Sequence, residues 1–560
     1  MSNYVAKNNA AEPEAAPKRR RKLWLASGIA GLTGVVSIAA VGVATGAGAV
    51  GSEGLRWSTA QQVSKDGDRG AAEREEHQGK KDGEEHQGKK GGEEHQGKKG
   101  GEEHQGREDE REHRGKEVPC DSDKLIQAII FANENHGGVL ELAKDCTYRL
   151  TRSDEHGNGL PVIKENIVLK GHETKIVRDA TAHHFRILTV GRGGHLTAKG
   201  LTIKGGQTAH HSLHGEAADA VWSRFSNSVE ATKAAQAGQE YVPLLQAKPK
   251  GEVLKSAKAE TEAATLLDGG SHAGGGVLVH AGGTAKFEET HILGNQASSL
   301  GGGIANFGRT SLHRTTVADN TAFFFGGGIF NAGVLQVSDS RVINNDAIIG
   351  GGGIANGAAF IFHRDVDGGT TWIEKTEITR NETLGFGGGL LDIEGTSAVK
   401  HSKIADNTAA LAGGGVASAG DSNFELTHVE IAGNSTIGVG GGLALALGAI
   451  ANVEESKIVA NKAGFFGGGV FTAIAEATFR KSEISGNRAV GPLGVGGGIF
   501  TVLSEIDLDK TRVAHNFATR RPGGVFSFLS DVDVDDKSAI TANKPTNCEG
   551  TLTRVPRCFG

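Results

Sequence analysis

The sequence predicts an all-β chain, a parallel β-helix solenoid whose N-terminal end is closed by a capping helix. Two recurring motifs carry the prediction. Nine copies of Gly-Gly-Gly followed by Val, Ile or Leu begin at Gly274, Gly301, Gly326, Gly351, Gly387, Gly413, Gly440, Gly467 and Gly496, and a degenerate tenth reads Pro522-Gly523-Gly524-Val525. Each is followed by Ile or Val, two residues and Asn, giving Asn295, Asn320, Asn345, Asn381, Asn407, Asn434, Asn461, Asn487, Asn516 and Asn543. The interval is 25 to 29 residues, and once 36. At such a period a unit cannot bury its own apolar face and must stack on its neighbours.

The pattern inside each unit decides the kind of solenoid. Val334-Leu335-Gln336-Val337-Ser338 alternates apolar and polar residues, which is a strand period rather than a helical one. Glycine runs would also destabilise any helix laid through them. Each unit therefore reads as one turn of short strands joined by tight corners. Gly permits positive φ and close backbone approach, Asn tolerates the left-handed conformation, and stacked Asn amides can hydrogen-bond as a ladder. A Ser or Thr stands five before the Asn in nine units, including Thr290, Ser340, Ser402 and Ser538, with Val429 the departure. A second ladder of hydroxyls is expected there. A catalytic residue is needed once and not ten times, so these columns read as structural.

Gly-Gly-Gly-Ile-Ala-Asn at 301–306 and Gly-Gly-Gly-Ile-Phe-Asn at 326–331, alternating with Val-Ala-Asp-Asn at 317–320, resemble right-handed parallel β-helix proteins. They are similar to the paired motifs of the polymorphic outer membrane protein repeat, with Gly in place of its Ala and Ile or Val in place of its Phe. The stretch from Val118-Pro119-Cys120 to Gly205-Gly206 is similar to the opening of secreted proteins of the pectin lyase-like superfamily. The resemblance implies a right-handed parallel β-helix, and an activity on acidic polysaccharides in many members.

The rest of the chain divides by composition. Residues 1–22 end in the basic run Lys18-Arg19-Arg20-Arg21-Lys22 and form a cytoplasmic flank or n-region. Residues 23–50 carry no charge and read either as a transmembrane anchor or as a signal peptide. Both send the remainder out of the cytoplasm. Residues 51–117 contain a nine-residue repeat of the Glu-Glu-His-Gln-Gly-Lys-Lys-Gly-Gly type, with His77, His86, His95, His104 and His113 at equal intervals. So few apolar residues predict a disordered linker.

Residues 118–206 hold the capping helix and the first irregular rungs. In the helix Leu125, Ile126, Ile129 and Ile130 are expected to share one apolar face, and Gly137-Gly138 to end it. Residues 207–273 lack the repeat and read as an insertion with helical pieces near 227–237 and 253–267. The repeats proper fill 274–543, and a second, short insertion around 362–369 explains the long interval. Four cysteines bracket the folded region, Cys120 with Cys146 at its start and Cys548 with Cys558 in the closing segment 544–560. In an exported chain they predict two disulfides.

Composition excludes some functions. A formal net charge of -6 over 560 residues, with no basic stripe or aromatic platform in the repeats, does not suit nucleic acid. No cofactor is expected. Asp531, Asp533, Asp535 and Asp536 offer carboxylates for Ca²⁺, although a solvated acidic end rung is the simpler reading. Glu374, Asp392, Glu394, Asp421 and Glu425 read as scattered, outward-facing carboxylates that form no acid–base pair. The favoured expectation is a secreted or surface-tethered recognition protein without enzymatic activity, binding an extracellular glycan or surface protein. The alternative is a lyase or hydrolase of acidic glycans working beside the 357–372 loop, with Asp365 and Asp367 as candidates.

Overall fold

The computed structural model describes residues 115–208, 272–357 and 368–560. The apolar segment 23–50, the linker up to residue 114, most of the 207–273 insertion, and Asp365 and Asp367 lie outside them, and the end of the expected linker is already strand, Lys116–Val118. From Glu117 onward the described chain is an all-β parallel solenoid of about 13 turns. Among the described residues no helix is long and apolar enough to cross a membrane.

One rung shows the plan. Ile304–Asn306 belongs to an 11-stranded sheet, the sealed wall. Arg309–His313 and Thr316–Ala318 belong to a 25-stranded sheet, the broad wall, which folds over a corner at Arg314 and Thr315. Thr321–Ala322 joins a nine-stranded narrow wall. The next rung repeats the register, with Ile304 beside Ile329, Leu312 beside Val337 and Val317 beside Val342. All of these side chains are buried, each contributing about 1.5–3 kcal/mol of apolar transfer.

The Gly-Gly-Gly bend is dictated by two approaches at once. Gly301 has φ 63°. A Cβ on Gly302 would lie 2.4 Å from the carbonyl oxygen of Gly327 in the next rung, and one on Gly303 2.7 Å from that of Gly328. The bend doubles the chain back, so the residues just before it cover the outside of the sealed wall. There Leu300, Phe325, Phe386 and Val439 join one parallel column over Leu278, Ala305, Phe330 and Leu391. As far as the strand Val470–Ala473 the sealed wall is thus buried on both faces, with one core inside the solenoid and a second outside it.

Polar columns fill the corners. Each Asn from 295 to 516 donates its amide to the amide oxygen of the next at 3.0 Å. That oxygen also accepts the preceding Asn backbone N–H, and the ladder runs on through Asn543 to Asn547. At the broad-wall corner the hydroxyls from Ser340 onward accept a backbone N–H from the rung before: Thr315 donates to Ser340 at 3.0 Å, and Thr376 to Ser402 at 3.0 Å. Val429 interrupts this column. It receives nothing from Ser402, although its own N–H donates to Ser456 at 3.0 Å.

Charges on the outer face of the broad wall are ordered too. Arg341, Glu377, Lys403, Glu430, Lys457, Glu483 and Arg512 occupy one column in register, alternating in sign. A skipped rung would bring like charges together, which is destabilising.

The capping helix α1 spans Ser122–Glu134, with the Asp121 carboxylate accepting from the Asp123 and Lys124 N–H groups. Its buried stripe differs from the expected one. Leu125, Ala128, Ile129 and Ala132 face inward, while Ile130 is 43 % exposed, because the two alanines let the helix approach the first strands closely. Disulfides Cys120–Cys146 and Cys548–Cys558 fasten the two ends.

Restoring the missing hydroxyl should stabilise the fold. Val429→Thr would accept the Ser402 N–H and donate to the Thr427 carbonyl, as Ser456 does to Glu454. A gain of about 1 kcal/mol is expected, read as a higher denaturation midpoint at unchanged slope.

Candidate functional site

The first rungs differ from the later ones at one place, the corner of the broad wall. In the repeats that corner carries a projecting side chain in the left-handed region, such as Glu289, Arg314, Asp339 or Lys375. In the earlier rungs Asp145 and Glu173 hold that position, with φ 54° and 52°, and Gly200 is the residue that brings no side chain to it. Gly200 has φ 64°, and a Cβ on it would lie 2.4 Å from the Gly171 carbonyl oxygen. With no side chain at Gly200, the corner opens between Glu173 and Glu289 into a groove of about 770 Å³.

Two columns form its sides. On one, Glu141, Lys170, Lys199 and Glu288 follow one another in register. Lys170 reaches Glu141 at 3.1 Å and Lys199 reaches Glu288 at 3.6 Å. On the other stand Thr147, Lys175, Thr202 and His291. Asp145, His172, Glu173 and Glu289 lie between and around them. Lys286, hydrogen-bonded to Glu288, together with Lys199 holds the Glu288 carboxyl below the usual range. The groove is therefore lined by charges of both signs, with threonine and histidine among them. None of its residues belongs to the repeats' Asn or Gly columns, and it draws on segments from Glu141 to His291.

The carboxylates singled out in the sequence do not converge. Glu374, Asp421 and Glu425 are exposed and separate, and Glu394 is half-buried at a corner of left-handed conformation. Asp392 is not outward-facing as its pattern implied: it is fully buried. The sealed wall is apolar on both faces, so alternation does not reveal which way a residue points. Asp392 ends a second amide ladder inside the solenoid, Asn306 to Asn331 at 2.7 Å, Asn331 to Asn356 at 2.8 Å and Asn356 to Asp392 at 2.9 Å. It also accepts from Ser397 and from Gly395 N–H.

At the far end Asp531 and Asp533 point outward, while Asp535 accepts from Lys510 N–H at 3.1 Å. Hydrogen bonding from Ser538 helps keep Asp535 below the usual carboxylate range. Among the described residues no three His, Cys, Asp or Glu side chains are grouped to hold a metal ion. Asp346, on the narrow wall beside Glu382 and near Asp319, is pushed up to about 7 by burial and by those neighbours.

No family model and no curated protein matches the chain. Among solved structures it is similar to PfbA, a surface adhesin of Streptococcus pneumoniae, with a TM-score of 0.34, 8% identity, and coverage of 74% of this chain and 89% of that one. It is also similar to the A-module of the Azotobacter vinelandii mannuronan C-5 epimerase AlgE6, with a TM-score of 0.29, 11% identity, and coverage of 74% and 95%. Superpositions this loose align no side chains and transfer no site.

Burial pushes Asp392 up from its ordinary 3.8 to about 6. The folded state thus keeps a proton that the unfolded chain releases, so stability falls as pH rises between about 4 and 6, by on the order of 3 kcal/mol. Asp392→Asn removes that loss. Its new amide also faces Ser418 of the next rung, whose buried hydroxyl has no partner. Urea melts at pH 4 and pH 7 should show the variant's stability relative to the parent rising with pH, by on the order of 3 kcal/mol.

Proposed function

We propose that the protein is an extracellular recognition scaffold that holds a glycan chain in the groove of its first rungs without cleaving it. The observation that carries this reading is the groove itself: Lys170, Lys175 and Lys199 interleaved with Glu141, Asp145, Glu173 and Glu289. Such a lining offers donors and acceptors in near balance, which suits hydroxyls that both give and receive hydrogen bonds. Two disulfides accord with an oxidising compartment, and an uncut segment 23–50 would tether the scaffold to a cell surface. The resemblance of the opening rungs to pectin lyase-like proteins supports a carbohydrate ligand.

Hydrolysis by a carboxyl pair is not part of the proposal for a chemical reason. A carboxyl that serves as general acid near neutral pH needs a raised pKa. The two carboxyls that burial lifts to about 6 and about 7, Asp392 and Asp346, lie outside the groove.

The test is affinity electrophoresis of the full chain through gels carrying polygalacturonate, alginate or cell-wall glycans. Retardation is expected in at least one gel and should disappear in Lys170→Glu/Lys199→Glu, with neither unsaturated products nor new reducing ends. Free migration in every gel, or equal retardation of the variant, would refute glycan recognition by the groove. Product formation abolished by the double change would instead make it an enzyme.

A further inference from the structure

The corner between the sealed and broad walls changes character in the last rungs. Glu394 and Gly420 occupy its left-handed position first, then Leu447, Ile474, Leu503 and Leu529 in succession, with φ between 49° and 61°. Hydrogen bonds place them in register: Leu447 N–H donates to Ala473, Ile474 to Val502 and Leu503 to Phe528. Among the described non-glycine residues with positive φ, these four are the only aliphatic ones larger than Ala. The other corners use Asp, Asn, Glu, Lys, Arg, His or Ala. A bulky aliphatic residue is poorly suited to that conformation, a β-branched one such as Ile474 least of all.

Burial does not explain the choice. Leu447 is covered, but Ile474 is 40 %, Leu503 52 % and Leu529 61 % exposed, and Phe528 beside them 39 %. The result is an apolar ridge that rises toward the C-terminal end. Two residues further along each strand, Glu476, Glu505 and Asp531 stack in register. None of the three forms a salt bridge with a described residue, although the column from Arg341 to Arg512, elsewhere on the same wall, alternates in sign. Strained aliphatic side chains in water and like charges in register both oppose folding. Their coincidence on one edge is what a binding surface looks like before its partner arrives.

The geometry points to a basic amphipathic helix of a partner protein, laid along the ridge parallel to the solenoid axis. Ridge residues recur at ~4.8 Å and helix turns at ~5.4 Å, so aliphatic residues at i, i+3, i+4 and i+7 meet successive ridge side chains. Lys or Arg on the flank of that stripe then faces Glu476, Glu505 and Asp531. The carboxylate column selects a cationic partner and disfavours an anionic membrane. The surface is separate from the glycan groove and independent of it.

The probe is a fluorescein-labelled synthetic helix of about 14 residues with leucines on one stripe and lysines beside it, titrated with the full chain and read by anisotropy. Saturable binding is expected, weakened at least tenfold both by Ile474→Asn/Leu503→Asn/Leu529→Asn and by Glu476→Lys/Glu505→Lys, and absent for a Leu/Glu helix. Asn suits the left-handed conformation, so the triple variant should melt no lower than the parent and the loss will not reflect unfolding. Lys170→Glu/Lys199→Glu should bind the helix normally. Equal binding by the triple variant, equal binding of the Leu/Glu helix, preferential binding to phosphatidylglycerol vesicles, or self-association through the ridge that the helix does not displace would each overturn the proposal.

Discussion

The structure depends on one close approach. At every glycine bend two backbones meet at a distance that leaves no room for a Cβ, and the bend recurs at the ~4.8 Å spacing that parallel strands require. Once the bends are fixed at one height per rung, the strands between them have nearly fixed lengths and in-register partners. The corners must then satisfy the same backbone groups in the same way many times over, hence the ladders of amides and hydroxyls. A ladder of this kind is cooperative: each oxygen serves both a side-chain and a backbone donor, so no rung is satisfied without its neighbour.

The same constraint decides where chemistry can sit. Inward positions are filled by packing or by ladder bonds, and the sealed wall is covered on both sides as far as Ala473. That leaves the outward columns of the broad and narrow walls, and the corners. At a corner a single residue sets the relief. Glycine at 200 opens the groove, charged residues such as Arg314 and Lys375 on the same corner make a polar ridge, and Leu503 and Leu529 on another corner make an apolar one. The alternating charges of the Arg341 column and the unrelieved carboxylates of the Glu476 column show two uses of the same kind of position. One reinforces register, while the other sacrifices stability for a surface.

Much of this was legible in the chain because periodicity exposes it. The solenoid and the columns built on Asn295 and Thr290 follow from spacing, and the two disulfides from where the four cysteines stand in a chain read as exported. The direction of Asp392 did not, since its strand lies between two apolar cores and alternation loses its meaning there. The covering role of Phe325 and Phe386 was hidden in the short stretch before each glycine run, which reads as loop. The helix face was misjudged at Ile130 because alanines at 128 and 132 compete with larger residues for the close contact. The groove was illegible, as Glu141, Lys170, Lys199 and His291 have no common motif and meet only when rungs stack.

By itself the sequence determined the repeat, the strand period and the residue types at each bend, because these are set by local backbone geometry and by the need of every unit for a neighbour. Only the tertiary structure decided which outward side chains share a surface. That depends on how many residues each rung spends between bends and on what an insertion adds, and residues far apart in the chain become neighbours across a single strand spacing.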